Sequence, residues 1–391
     1  MPAPRISPRA ARSPLLGALL LGLSLPACSD GADPVAAAST PPSASTPPAA
    51  APPAATQPGL APGLVLEVWA EDVRDARSLA LGPQGHVFVG SRRGDAVRAL
   101  RDSNGDGRAD QRITIAEKLT MPNGIAVRGD DLYVATNGAV LRFPGRAADP
   151  AGEGAPQRIR SLPTERHHGW RYLDVDPQGR LVVAIGAPCN VCDRPDFATL
   201  ERFDAQGGNV EVIAHGVRNS VGFDWDAQGR LWFTDNGRDW LGDDSPPDEI
   251  NRMDREGAHY GFPWCHGGDV PDPDFDERAC ADFVPPAQRL GAHVAALGIH
   301  FYSGDMLRDY RGGAFVAEHG SWNRSEKAGY RVMYAQIEQG QVRDYRPVVD
   351  VWLDGQEVSG RPVDLLTLPD GSLLISDDHG DRIWRLRAAG E

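Results

Sequence analysis

One pattern recurs six times along the chain: a turn rich in Asp, Pro and Gly, followed by a short run of branched and aromatic residues. The glycine supplies the positive φ that a tight turn needs, and the run after it has the composition of a strand buried on both faces. Most copies are roughly forty to sixty residues apart, the period of a four-stranded propeller blade. The sequence therefore predicts an all-β protein, a six-bladed β-propeller. The copies lie at residues 82–90, 128–136, 176–186, 226–237, 310–320 and 368–380.

The gap between the fourth and fifth copies is the widest, and it contains a Pro- and Cys-rich stretch at residues 260–286. Inserted loops of this length are usually functional. We expect this insertion to lie over the mouth of the central channel and to carry substrate specificity.

The N-terminus has the features of an export signal: a basic start, then an apolar run at residues 15–25 that is too short to span a bilayer. The following tetrapeptide, which ends at Cys28, resembles a bacterial lipobox. This predicts a lipoprotein signal peptide at residues 1–27 and lipidation of Cys28; the alternative is an ordinary cleaved signal. The protein would then be exported and face the periplasm from a membrane anchor, with the outer membrane as a compatible location.

Residues 28–62 consist almost entirely of Ala, Pro, Ser and Thr, so they bury too little apolar surface to offset the entropy of ordering. They are predicted to be a disordered tether. Residues 63–391 would form the propeller.

Four of the five cysteines remain when Cys28 is set aside. In an oxidising compartment this even number suggests two local bridges, most simply Cys189 with Cys192 and Cys265 with Cys280. Two other pairings are possible. The first two could instead be half of a zinc site, although the chain has no second CxxC motif to complete it. Because Asp193 follows in place of a histidine, the motif does not attach haem.

Several of the predicted strands end in polar clusters, at the place where a propeller gathers its channel-facing loops. Cations, amides and a histidine that converge on a concave site suit an anionic ligand and proton-transfer chemistry. Each cluster alone has the ordinary alternative that turns favour Asn, Asp and Gly. The clusters are Arg92-Arg93, Asn137, residues 235–238, Glu318-His319 and residues 377–379, joined by "RHHGWR" (166–171) and "GVRNSVGFDW" (216–225).

These motifs, with "LWFTDNGRDWLGDDSPPDEIN", "YGFPWCHGG", "FVAEHGSWNR" and "SGRPVDLLTLPDG", resemble the soluble quinoprotein sugar dehydrogenases, in particular their sorbosone dehydrogenase-like branch. The resemblance covers the chain from about residue 60 onward. It implies a six-bladed propeller that binds pyrroloquinoline quinone (PQQ) and Ca²⁺ and oxidises aldoses or related carbonyl hydrates.

Carried over position by position, the resemblance favours His167 over His168 as the general base, and it implies that Arg171, four residues on, binds the cofactor. Arg218 and Asn219 match a pair whose guanidinium lies beside the reactive quinone carbonyl. A base with a pKa near neutrality suits the step, since the C1 hydroxyl proton must leave as hydride departs.

The resemblance also implies a calcium site formed by the backbone carbonyls of Gly237 and Arg238 and by the carboxylate of Asp248. Oxygen ligands of this kind suit Ca²⁺ better than zinc. It further implies that Asn236 faces the cofactor and that Arg361 binds it. Trp170 and Trp322 lie in channel-facing motifs and could stack on the cofactor or the sugar.

Three positions depart from the family pattern. Gly186, Ala187 and Pro188 replace the acidic residue that orients the base in many relatives, so we expect Asn190, in the Cys-bounded loop, to take that role. The family's blade-five lysine is absent, and we expect His319 or Arg324 to bind the cofactor in its place. Val363 stands where a second arginine would follow Arg361.

Residues 102–110, "DSNGDGRAD", follow the start of an EF-hand calcium loop but have Ile113 at the twelfth position in place of the bidentate Glu. The sequence favours an Asp- and Gly-rich hairpin, and a weak structural Ca²⁺ site is the alternative.

The predicted function is oxidation of a sugar or sugar-derived aldehyde, with electrons passed to an external acceptor, a cytochrome or a quinone. The alternatives are a calcium-dependent propeller lactonase and a non-catalytic binding propeller. The net charge of −14 argues against nucleic acid as a partner.

Overall fold

In a computed structural model of the chain, which describes residues 57–390, the six predicted strands are the second strands of six sheets, each built on four antiparallel strands. The third sheet has a fifth strand, residues 258–259, which pairs in parallel. The sheets follow one another as the blades of a β-propeller, so the predicted all-β fold is confirmed. The predicted signal peptide with Cys28, and the predicted tether up to residue 56, lie outside the described residues.

Strand β1 (Leu64–Ala70) comes before blade 1 in the chain but is part of blade 6. Blade 1 contains β2 (Ala76–Leu81), β3 (Val87–Ser91), β4 (Val97–Arg101) and β5 (Gln111–Ala116). Blade 2 contains β6 (Gly124–Arg128), β7 (Asp131–Thr136), β8 (Ala139–Phe143) and β9 (Gln157–Ser161). Blade 3 contains β10 (Leu173–Val175), β11 (Leu181–Ile185), β12 (Thr199–Phe203) and β13 (Glu211–His215).

Blade 4 begins with β14 (Phe223–Trp225), β15 (Leu231–Asp235) and β16 (Pro247–Arg252). An insertion follows, with β17 (Ala258–His259), β18 (Cys265–His266), β19 (Val270–Pro271) and the 3₁₀ helix Cys280–Asp282, before β20 (Gln288–Ala292) completes the blade. Blade 5 contains β21 (Ala296–Phe301), the 3₁₀ helix Arg308–Tyr310, β22 (Ala314–Glu318), β23 (Arg331–Glu338) and β24 (Gln341–Val349). The hairpin β25 (Leu353–Asp354) and β26 (Glu357–Val358) precedes blade 6, which contains β27 (Pro362–Thr367), β28 (Leu373–Asp377) and β29 (Arg382–Ala388).

Strand β1 closes the ring, because it pairs antiparallel with β29 as the outer strand of blade 6. The first and last strands of the propeller are thus joined by a hydrogen-bonded ladder, which leaves the last blade no shorter than the others. The first strand of each blade lies nearest the axis: β2 contacts both β6 and β27, and β14 contacts β21.

Each repeat copy is the connection from the inner strand to the second strand, together with the second strand itself. Gly85 and Gly179 have φ of 78° and 79°, the left-handed conformation that the predicted turns require. Every residue of β3, β11, β15, β22 and β28 is buried, as expected for strands packed on both faces.

The core consists of six main apolar clusters, and each one lies between two neighbouring blades. Phe88 and Val97 of blade 1 pack with Leu132 and Phe143 of blade 2, and the other interfaces repeat this arrangement. A blade is therefore stable only against its neighbours, which is why the ring has to close.

The insertion is attached to blades 3 and 4. Strand β17 pairs in parallel with β13, and the backbone N–H of Gly267 donates to Glu249 on β16. The two predicted disulfides, Cys189–Cys192 and Cys265–Cys280, are both present, which confirms their pairing.

Contacts with the propeller begin before residue 63, the predicted boundary of the tether. Leu60 forms a bridge with Val349, and the N–H of Ala61 donates to the carbonyl of Val348 over 2.9 Å. Within residues 57–390, no helix combines the length and the apolar character needed to cross a membrane.

The blade interfaces predict a contrast between two valines. Val183, fully buried between blades 2 and 3, leaves a cavity when it is replaced by Ala, and the free energy of unfolding should fall by about 2 kcal/mol. The matched change Val210→Ala removes the same atoms from a side chain that is 43% exposed, and should cost less than about 0.5 kcal/mol. Denaturant unfolding followed by tryptophan fluorescence measures both; equal losses would contradict the packing.

Candidate active site

The loops that carry the polar motifs meet at one end of the central axis. Because inner and second strands are antiparallel, residues before an inner strand and residues after a second strand lie at the same edge of every blade. There they enclose a cavity of about 380 Å³. Eight of the predicted site residues line it: His167, Arg218, Asn219, Asn236, Gly237, Asp248, His319 and Arg361.

His167 presents an exposed imidazole to this cavity. Partial burial and the nearby positive charge of Arg218 lower the pKa of His167, against the opposing effect of Asp239. The ring forms no hydrogen bond with any residue in the described part of the chain. At neutral pH His167 is therefore an uncharged imidazole that is free to accept a proton.

His168 has a structural role. Its Nδ1 lies 2.8 Å from the carbonyl oxygen of Ala187, and its backbone has φ of 46°. Full burial, and then the charge of Arg218, hold the pKa of His168 well below its usual range. These contacts favour His167 over His168 as the base.

Arg218 is buried in the cavity wall and is clamped by the loop between Cys189 and Cys192. Its Nε donates to the carbonyl of Asn190 over 2.9 Å, and its Nη2 donates to Asn190 Oδ1 over 2.8 Å. Nη1 donates to the carbonyl of Asn236 over 3.1 Å, and Nη2 lies 3.3 Å from Asp239 Oδ2. These contacts fix the position of the guanidinium.

Asn190 therefore does not have the predicted role. It neither lines the cavity nor orients His167, because its side-chain oxygen is shared between Arg218 and the N–H of Asp239, and its Nδ2 donates to the carbonyl of Asp239. It positions Arg218.

Arg171 also lies away from the cavity at which it was expected to bind the cofactor. Its side chain is fully buried, and its guanidinium donates to the carbonyls of Pro163, Asn137 and His168, with the shortest distance, 2.8 Å, to Pro163. Burial lowers the pKa of Arg171 to about 10. Arg171 holds the loop that carries His167 and has no side-chain atom at the cavity.

Two further arginines line the cavity: Arg92, which belongs to one of the predicted polar clusters, and Arg77, which no sequence motif indicated. Arg77 Nη1 forms a 2.7 Å ion pair with Asp378, whose other oxygen lies 2.8 Å from Nε2 of His319. Burial lowers the pKa of His319 to about 4, so its neutral ring donates Nε2–H to the carboxylate. The guanidinium of Arg92 lies 4.8 Å from the centre of the Trp170 ring.

Arg361 extends this group on the blade 6 side. Its Nε and Nη2 donate to the carbonyls of His319 and Gly320, over 3.1 and 2.6 Å. Burial is the main reason that the pKa values of Arg361, Arg218 and Arg92 are lowered, that of Arg92 to about 10. Lowered values show that each of these charges is incompletely compensated by the protein.

Asp248 is the candidate metal ligand in the cavity. Its two carboxylate oxygens accept one backbone N–H each, from Gly237 over 2.8 Å and from Ala295 over 2.6 Å. Burial raises the pKa of Asp248 to about 6. In residues 57–390 no three His, Cys, Asp or Glu side chains cluster as metal ligands, so a cation here would need backbone oxygens as well.

The side chain of Arg238 points away from the cavity, where it pairs with Asp272 over 2.6 Å and Asp274 over 3.1 Å. Only its backbone is left for the predicted metal role. The pairing ties the blade 4 loop to the insertion.

The insertion does not cover the mouth, contrary to expectation, because none of the residues that line the cavity comes from 260–286. Its attachment to β13 and β16 holds it beside blades 3 and 4. Arg324 also lies outside the cavity, since Nη2 pairs with Asp244 over 3.1 Å.

The loop at residues 102–110 lies between β4 and β5, and its acidic oxygens cap its own turns. Asp102 accepts the N–H groups of Gly105 and Gly107 over 2.7 and 2.8 Å. These bonds support the hairpin interpretation.

Comparisons with known proteins match this chain to sugar-oxidising and carbohydrate-active proteins. The profile of the family described as Glucose / Sorbosone dehydrogenase matches residues 195–323, and a TrAA12-like profile matches residues 268–388. An uncharacterized protein of Borreliella burgdorferi is 32% identical over 349 residues, which cover 83% of this chain and 89% of that protein.

Solved structures share the fold at lower identity. The calcium structure of Trichoderma reesei Carbohydrate-Active Enzymes Family AA12 is 20% identical with a TM-score of 0.74, over 84% of this chain and 96% of that chain. The holo form of the pyranose dehydrogenase PQQ domain from Coprinopsis cinerea is 20% identical with a TM-score of 0.70, over 86% and 99%. The PQQ-bound aldose sugar dehydrogenase from Streptomyces coelicolor is 17% identical with a TM-score of 0.59, over 83% and 98%.

The electrostatics of the cavity predict a shift in the titration of His167. Replacing Arg218 with Gln removes a positive charge that lowers the pKa of His167, so this pKa should rise. The control is Arg324→Gln, which removes a charge paired outside the cavity and should leave the pKa of His167 unchanged. Nuclear magnetic resonance of histidine-labelled protein, with the His167 signal assigned by His167→Gln, gives both values. A lower or unchanged pKa in Arg218→Gln would contradict the geometry.

Proposed function

Because residues 195–323 match the family described as Glucose / Sorbosone dehydrogenase, we propose that the protein is a PQQ- and Ca²⁺-dependent dehydrogenase that oxidises a sugar or a sugar-derived aldehyde. The observation that carries the proposal is a cavity in which the exposed imidazole of His167, which forms no hydrogen bond within residues 57–390, faces several arginine side chains. The arginines are Arg77, Arg92, Arg218 and Arg361.

The cavity suits a polyanionic cofactor. Four guanidinium groups line it against two carboxylates, those of Asp239 and Asp248, and the charges of Arg92, Arg218 and Arg361 are incompletely compensated. A tricarboxylate such as PQQ would supply the missing negative charge. A volume of about 380 Å³ is in the range of small-molecule sites. A lactonase would leave these arginines without a role.

The surroundings of Asp248 suit a hard divalent cation. The carboxylate is buried, receives one N–H on each oxygen and forms no ion pair with an Arg, Lys or His of residues 57–390. Ca²⁺ would complete the site with the backbone carbonyls of Gly237 and Arg238, and would contribute Lewis acidity there.

When bound, PQQ supplies the quinone that accepts a hydride from the sugar. In this proposal His167 takes the proton from the C1 hydroxyl, because its ring is exposed to the cavity and uncharged at neutral pH. Arg218, fixed by Asn190 and Asn236, keeps a positive charge at the wall where negative charge develops. The loop held by Arg171 keeps His167 at the edge of blade 3.

The remaining parts of the proposal concern location and partners. The Cys189–Cys192 and Cys265–Cys280 bridges support an oxidising compartment. We place the protein on the periplasmic side of a membrane, anchored through a lipid on Cys28. Electrons would pass to an external cytochrome or quinone, since "CNVC" lacks the histidine of a haem motif.

Reconstitution tests the proposed reaction. Protein loaded with PQQ and Ca²⁺ should reduce a dye with aldoses or sugar aldehydes as donors, and either component alone should give no turnover. His167→Gln should lower kcat more than about 100-fold because the base is lost, while PQQ still binds in an absorbance titration. The matched change at an exposed histidine outside the cavity, His215→Gln, should leave kcat within about twofold. Wild-type turnover in the loaded His167→Gln protein would reject His167 as the base.

Arg218 and Arg324 form a second matched pair. At saturating PQQ, Arg218→Ala should lower kcat more than about tenfold, because the charge that stabilises the transition state is removed. Arg324→Ala removes an arginine that lies outside the cavity and should leave kcat with a monosaccharide nearly unchanged. A pure increase in the KM for the sugar in Arg218→Ala would argue against this role.

A further inference from the structure

Two tryptophans stand exposed at the mouth of the cavity. Trp240 and Trp322 are 67% and 65% exposed, more than any other large apolar side chain in residues 57–390. Their rings meet edge to face, with centroids 5.5 Å apart and an angle of 86° between their planes. Two neighbouring indoles left open to water are an unusual surface and indicate a binding role.

The backbone around the pair is held in place. Trp240 has φ of 73°, a left-handed conformation that is costly for a bulky side chain and persists only where its surroundings impose it. His293 Nε2 lies 2.8 Å from the carbonyl of Gly242, and the N–H of Ser325 donates to Asp243 over 3.1 Å. The loops 239–244 and 321–325 are thus joined, and the two rings form a preformed platform.

A groove of about 480 Å³ runs along this platform, with Asp243, Asn323 and Ser325 at its sides. Trp322 lines both the groove and the cavity that contains His167, so the two spaces lie side by side. The cation in the groove, Arg324, is already paired with Asp244. An apolar floor with polar sides and a neutralised cation suits an uncharged, hydroxyl-rich ring.

We propose that the Trp240–Trp322 groove binds a pyranose ring of an oligosaccharide whose reducing end lies in the cavity. The substrate class would then be oligosaccharides, with at least one sugar unit beyond the one that reacts. The part of this inference that concerns oxidation rests on the proposed dehydrogenase function. The part that concerns binding rests on the groove alone. Two indoles, which bury about 150–250 Å² each, fit one or two sugar rings. Together they cover less than the roughly 800 Å² per partner that a specific protein interface buries.

The test compares glucose with maltotetraose and cellotetraose, using protein loaded with PQQ and Ca²⁺ and a dye as acceptor. Wild-type kcat/KM should be higher for at least one tetrasaccharide than for glucose. In Trp240→Ala it should fall a few-fold for that tetrasaccharide through KM, since a stacked ring contributes a few-fold in affinity, and should stay within about twofold for glucose, because Trp240 does not line the cavity. Trp240→Phe, which keeps an aromatic face, should recover most of the loss.

A second readout separates this inference from the function on which it rests. Calorimetric titration of the His167→Gln protein with the same tetrasaccharides should give a dissociation constant that weakens about tenfold when both indoles are removed. Glucose oxidation without tetrasaccharide binding would overturn the inference and leave the function standing. Tetrasaccharide binding without oxidation of any sugar would do the reverse. If Trp240→Ala lowered turnover only when a protein replaced the dye as electron acceptor, the inference would be overturned in favour of a protein-docking surface.

Discussion

The antiparallel pairing of the inner strand with the second strand of each blade is the constraint on which the site depends. It places the residue before one strand and the residue after the other at the same edge, in all six sheets. His167 before β10, Arg218 before β14 and His319 after β22 are far apart in the chain, yet they line one cavity. The β1–β29 ladder keeps that edge a closed ring, because no blade buries its faces without its neighbours.

The arginines and the histidine of the cavity act on each other through the same electrostatic field. Burial leaves Arg92, Arg218 and Arg361 with incompletely compensated charge, which attracts an anion. Partial burial, and then the charge of Arg218, lower the pKa of His167, so this imidazole stays neutral, as its proposed role as a base requires. In the proposed reaction one arrangement would therefore serve both the binding of an anionic cofactor and proton removal, which would account for a histidine placed so near a guanidinium.

The fold could be predicted from the repeat because burial on both faces requires the apolar runs that the sequence shows. The edge on which a motif lies could be predicted for the same reason. The direction in which a long side chain points could not be predicted. Arg77 and Arg171 both stand two residues before a leucine that pairs with the middle residue of the second strand, yet Arg77 reaches the cavity through Asp378 and Arg171 turns to backbone carbonyls. Only the neighbouring loops decide between these outcomes, and no local pattern encodes them.

Asn190, which was expected to orient His167, belongs to the site in a different role. The Cys189–Cys192 bridge closes a loop of four residues, and within it both the carbonyl and the side-chain oxygen of Asn190 accept hydrogen bonds from Arg218. The same side-chain oxygen accepts the N–H of Asp239, whose carboxylate faces both Arg218 and His167. Such a short loop has few conformations, so it fixes Arg218 and Asp239 from just outside the cavity. The disulfide is therefore part of the architecture that sets the position of Arg218, and the oxidising compartment that it indicates is a condition for the site as well as for the fold.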